Sequence, residues 1–177
     1  MRNLRITLGF LIVCVSCLNA TSQCGQVDRS SPLAVAGEVS RIFEYSLNRM
    51  QSTALSGTKA ITWIPPKTED EAQVKCLGSP AIPSILEHLN SNRPYGQLLA
   101  VRMLGWIGGA EITEPLKGIL ASSDSQTIKI AALQALCSAP SEAAIPVLTG
   151  TAESDQNPYV RKKAVEILGK CHKKPQA

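Results

Sequence analysis

Histidine is nearly missing from this sequence. Two residues, His88 and His172, stand among 177. Neither has beside it a cysteine, a serine motif or a set of carboxylates from which a triad or metal site is built. His88 follows Glu87 directly, and neighbouring helical positions point about 100° apart, so it reads as solvent-facing. Among Cys24, Cys76, Cys137 and Cys171 no two have the CxxC spacing of a zinc site. No glycine-rich loop opens a helix to cradle phosphate: Gly105, Gly108 and Gly109 fall where a helix ends. The chain therefore offers no catalytic residue, metal ligand or cofactor site, and reads as a non-enzyme.

A strong charge of one sign is lacking too. Eighteen basic and fourteen acidic residues give +4, falling to about +2 if Arg2 and Arg5 leave with a leader, well below the balance of a dedicated nucleic-acid binder. No apolar run reaches the roughly 20 residues that cross a membrane. One runs from Ile6 to Leu18, after Arg2 and Arg5 and before small polar residues, the pattern of an export signal. Cleavage after Ala20 or Ser22 fits, giving a leader over 1–22. Cys14-Val15-Ser16-Cys17 resembles a bacterial lipobox with Cys14 in the usual leucine's place, so a leader over 1–16 with lipid attachment at Cys17 is the alternative to simple export. Either way the chain is expected outside the cytoplasm, with no membrane insertion of its mature part. Cys24, Cys76, Cys137 and Cys171 then remain; an even number permits disulfides, in three full pairings. Cys137 also suits a buried free thiol on a helix face, and both readings stay open.

What is present is a repeat. Segments starting at Gly96, Ile128 and Val160 lie 32 residues apart. They superpose Ala100, Ala132 and Ala164, then Leu104, Leu136 and Leu168, with Val101, Leu133 and Val165 in another apolar register. Positions four apart share a helical face, and Arg102, Gln134 and Glu166 fill a polar register opposite. Each segment is thus an amphipathic helix. Between them recur Pro83, Pro115 and Pro146, each opening an apolar stretch as proline does in a first helical turn. The unit is helix, turn, proline-started helix and polar linker.

These residues resemble the HEAT-like repeats of the phycobilisome-lyase type, with the alanine, leucine and glycine signature at Ala100/Leu104/Gly105 and Ala164/Leu168/Gly169, and Cys137 replacing glycine in the middle unit. The family's inter-repeat aspartate and basic residue look like Asp124 with Lys129 and Asp155 with Arg161. The resemblance implies an all-α fold, an αα-superhelix of about three helix-turn-helix repeats over 68–172, the first degenerate and the last halved. It also raises a chromophore-lyase activity and, for some HEAT-like proteins, nucleic-acid binding; export and the short array oppose the first, and charge and location the second.

Upstream, the 23–67 region predicts a helix from Pro32 to about Met50 with Val35, Val39, Ile42, Phe43, Leu47 and Met50 on one stripe, after a loose 23–30. An extended stretch around Ile61, Trp63 and Ile64 follows. Thr68 and Glu71 form a capping box, and that helix ends at Leu77 before Gly78. Tyr95 and Tyr159, each after proline, read as staples. The proline-started helices form one surface with Ser84, Glu87, His88, Lys117, Thr149 and Thr151, mixed in charge and suited to docking an unidentified protein. Trp106 is either an exposed anchor or a cover over the preceding helix. In the last helix Lys162 and Lys163 replace Leu98 and Leu99, the polar cap a terminal repeat needs. Residues 173–177 form a basic tail.

Overall fold

A computed structural model of the protein describes residues 27–55, 68–93, 95–139 and 141–171. The expected leader with Cys17, Cys24, the stretch with Trp63, His172 and the tail lie outside them. Among the described residues there are eight α-helices and no strand: α1 (Pro32–Leu55), α2 (Thr68–Leu77), α3 (Ile82–Glu87), α4 (Gly96–Ile107), α5 (Thr113–Ser122), α6 (Gln126–Leu136), α7 (Ser141–Ser154) and α8 (Pro158–Cys171). Short 3₁₀ turns at Ser79–Ala81, His88–Asn90 and Ala110–Ile112 tighten the joints. The architecture is an all-α repeat solenoid. The first helices α4, α6 and α8 stack side by side in one layer, and α5 and α7 form the other; α5 packs on α6, and α7 on α8.

The predicted stripe of α1 is the one that docks: Val35, Val39, Ile42, Phe43, Leu47 and Met50 are all buried to 4% exposure or less. Polar ties complete the seat. Asp70 of α2, itself buried, accepts from Ser46 Oγ at 2.9 Å and Arg49 Nη2 at 2.8 Å. Arg93 in the linker before α4 reaches back to Glu44 and to Asn48. The approach to α1 is not loose: Asp28 accepts from Ser30, Ser31 Oγ accepts from Ala34 N, and Arg29 Nη1 donates to the Cys76 carbonyl at 3.2 Å. The capping box of α2 rests on Thr68, whose side chain lies outside the described residues; Gly78 ends that helix in the left-handed region, as expected.

Stacking of the first helices depends on one small register. A Cβ built on Gly105 would come within 2.9 Å of Ala135 Cβ, so α4 and α6 approach as closely as a glycine–alanine pair allows. At the end of α4, Gly108 and Gly109 turn with positive φ, and Gly109 N donates to the Ser138 carbonyl at the end of α6. In the next unit the register holds Cys137, which is disulfide-bonded to Cys171, with Cα atoms 5.3 Å apart. The free-thiol reading is thereby corrected: a residue larger than glycine fits because its sulfur becomes part of the interface. In α8 the register is Gly169, which faces open space.

Two further expectations change. Proline does not start α7. The helix begins at Ser141, and Pro146 lies inside it; the N–H it lacks would have served only the Glu142 carbonyl, one bond in the exposed second turn. Tyr95 adopts a left-handed conformation, φ 66°, and packs partly buried on the core as a staple should. Tyr159 is no staple: it is 46% exposed.

The register predicts opposite outcomes for one substitution. Gly105→Ala should destabilise the protein by about 1–3 kcal/mol through overpacking. Gly169→Ala should leave it unchanged or raise stability by about 0.5–1 kcal/mol through helix propensity; urea unfolding of both variants checks this. The disulfide joins residues 34 apart, so Cys137→Ser with Cys171→Ser should cost about 3–4 kcal/mol by loop entropy. Amide exchange should then show protection lost first in α8.

Candidate functional site

The second helices form the layer on which docking is expected, and a groove of about 610 Å³ runs between α5 and α7. Lys117, Ala121 and Asp124 line one side; Pro146, Gly150 and Thr151 line the other. A Cβ on Gly150 or on Gly118 would meet nothing within 4 Å, so the walls are smooth and low. Thr151 Oγ1 is already used, donating to the Val147 carbonyl at 2.8 Å.

The floor at one end is a buried ion pair. Lys129 Nζ donates to Asp155 Oδ2 at 2.7 Å, with the two side chains 16% and 5% exposed. The pair therefore links units, from α6 to the linker before α8, and joins Lys129, the basic residue of one inter-repeat motif, to Asp155, the aspartate of the next; Asp124 is exposed. Arg161 does lie at this linker, but it donates to the carbonyls of Asp155 and Gln156 rather than to the carboxylate. Asp155 also accepts from Asn157 N, and Asn157 Oδ1 caps α8 at Tyr159 N. Burial raises the Asp155 pKa; the hydrogen bonds from Lys129 and Asn157, with the charges of Lys129 and Arg161, outweigh it and hold the carboxyl below its ordinary 3.8.

The six residues nominated from sequence scatter. Lys117 lines the groove. Thr149 is half-buried on α7, Ser84 half-buried and Glu87 exposed on α3. His88 does not face solvent: its ring stacks on Phe43 with centroids 3.9 Å apart and planes 9° apart. Burial there pushes the imidazole below its ordinary 6.5, against the opposing pull of Glu44 and Glu87. Trp106 is partly buried against the core, which favours its role as a cover.

Charge is sorted by layer. The first helices α4, α6 and α8 carry Arg102, Lys129, Arg161, Lys162, Lys163 and Lys170 against Glu166 alone. The second helices α3, α5 and α7 carry the exposed Glu87, Glu114, Glu142 and Glu153 against Lys117 alone, and Lys117 lies 3.6 Å from Glu114. The docking surface is thus acidic rather than mixed. Counting charges helix by helix instead of along the chain would have found this. Among the described residues no helix is long and apolar enough to cross a membrane, and no cluster of His, Cys, Asp or Glu could hold a metal ion.

The family model for HEAT repeats matches residues 82–169, the span from α3 to the end of α8. No curated protein and no solved structure matches the chain.

The buried pair is the part of this surface most sensitive to change. Lys129→Met should lower stability at neutral pH by about 1–3 kcal/mol, because the Asp155 carboxylate loses its nearest cation and keeps only Asn157 N and the charge of Arg161. A depressed carboxyl pKa stabilises the fold above about pH 4 and loses that contribution as pH falls through the folded value. The difference between variant and wild type should therefore shrink as pH falls below the ordinary carboxylate range, as followed by urea unfolding across pH.

Proposed function

We propose that this chain, whose residues 82–169 are HEAT repeats, is a non-catalytic protein-binding scaffold acting outside the cytoplasm. The observation that carries the reading is the row of exposed glutamates on α3, α5 and α7, the layer that also holds the smooth groove. Such a face is a continuous surface for another protein, and rigid repeats present it at little ordering cost. Its low glycine and proline walls suit an extended segment bearing basic residues. The Cys137–Cys171 bond, with Cys76 also disulfide-bonded, supports an oxidising location, in line with the basic, apolar and small-residue order of the first 22 residues.

Photo-crosslinkers placed at Lys117 and Gly150 test the reading, with one at Glu38 of α1 as control. In envelope and culture-medium fractions the first two should yield the same discrete protein adduct and the control none. A bilin-dependent absorbance change with an acceptor protein, and no adduct, would favour chromophore transfer instead. Mass spectrometry of the mature N-terminus should show cleavage near Ala20 or a lipid on Cys17; an intact Met1 would remove the exported location.

A further inference from the structure

The opposite layer carries a second groove, and the sorted charge bears on what it takes. About 350 Å³ is enclosed where α4, α6 and α8 run side by side. Its floor is apolar: Leu98, Ala131 and Ile167, each no more than 7% exposed. Its rim is cationic. Arg102 rises from α4, and Lys163 and Lys170 from α8. Glu166 is the one acid on the rim, and it is held by Lys163 at 2.7 Å. Tyr159 stands at the α8 end with its ring 5.6 Å from Lys163 Nζ. Arg102 is half-buried on the α4 side of the rim.

From the cationic rim over an apolar floor, across three first helices, we infer that this groove docks an acidic, leucine-bearing segment of a partner protein. The rim supplies charge complementarity and the floor a pocket for one or two aliphatic side chains, the arrangement by which a groove selects an amphipathic segment. A bilayer surface is too flat to bring an apolar group to a recessed floor. Nucleic acid would meet Glu166 within the row of cations and gain one exposed aromatic ring. A second copy of this chain offers the right charge on α5 and α7, but there the surface is Gly118, Ala121, Pro146 and Gly150, with no side chain long enough to reach the floor. The surface differs from the acidic docking face, and it stands whether or not that face binds a protein.

The test is fluorescence anisotropy with the full mature chain and a labelled twelve-residue peptide of glutamate and leucine in helical spacing. Saturable binding is expected, weakening as salt rises. Lys163→Glu with Lys170→Glu should weaken it at least tenfold, and Lys117→Glu on the opposite layer should not change it. Lys170→Glu alone lies outside the Lys163–Glu166 pair and should weaken binding about threefold, which keeps the test valid if the double variant unfolds. A peptide with the leucines replaced by serine should bind at least fivefold less well. No binding of the glutamate–leucine peptide, equal binding by the serine peptide, tighter binding of phosphatidylglycerol vesicles or a single-stranded oligonucleotide, or a salt-sensitive dimer that excludes the peptide would each overturn the assignment.

Discussion

The contact on which the rest of this structure depends is the approach of α4 to α6 at Gly105. A missing Cβ there lets two helices come near enough for Ala135 to sit where a side chain would otherwise stand. Everything in the array follows at that spacing. The next backbone link, Gly109 to Ser138, requires it. So does the burial of Val101 and Leu133, which are fully covered, whereas Val165 in the same register of the last unit is 60% exposed. Repeat proteins derive stability from neighbour interfaces rather than from one central core. The missing Cβ at Gly105 sets the α4–α6 interface, and the Cys137–Cys171 bond joins the end of α6 to α8.

The two ends of that stack are finished by different means. At the N-terminal end α1 lays a full apolar stripe on the first units and is fixed by Arg49–Asp70 and Arg93–Glu44. At the other end α8 is the last of the described helices, and Lys162 and Val165 are exposed on it. Lys163 turns instead toward Glu166 and Tyr159, so one lysine of the expected polar cap serves the cap and the other serves the neighbouring groove. A covalent bond, Cys137–Cys171, ties this last described helix to the end of α6.

The repeat, its 32-residue spacing and the buried stripe of α1 were legible in the sequence because apolar periodicity reports directly on which face is covered. The glycine signature was legible as a pattern, but its cause was not: only the positions of α4 and α6 show that Ala135 needs the space. Pro146 misled because proline's preference for a first turn is statistical, and an interior proline costs little where one exposed carbonyl is affected. His88 misled because the sequence beside it says nothing about Phe43, 45 residues away, whose ring it covers. The Lys129–Asp155 pair was half visible: both residues stood out as members of the inter-repeat motif, but in separate units, and only the stacking brings Lys129 to the next linker. Sorting of charge between layers was present in the sequence and became apparent once each helix had a side.

The Cys137–Cys171 bond has a consequence for the integrity of the chain. It closes a covalent ring that contains all of α7 and nearly all of α8. A single peptide bond cut within that ring opens it without freeing a fragment, since both new ends remain attached through the sulfurs. The half-repeat at the end of the array, otherwise the segment most easily trimmed away, is in this respect tethered twice.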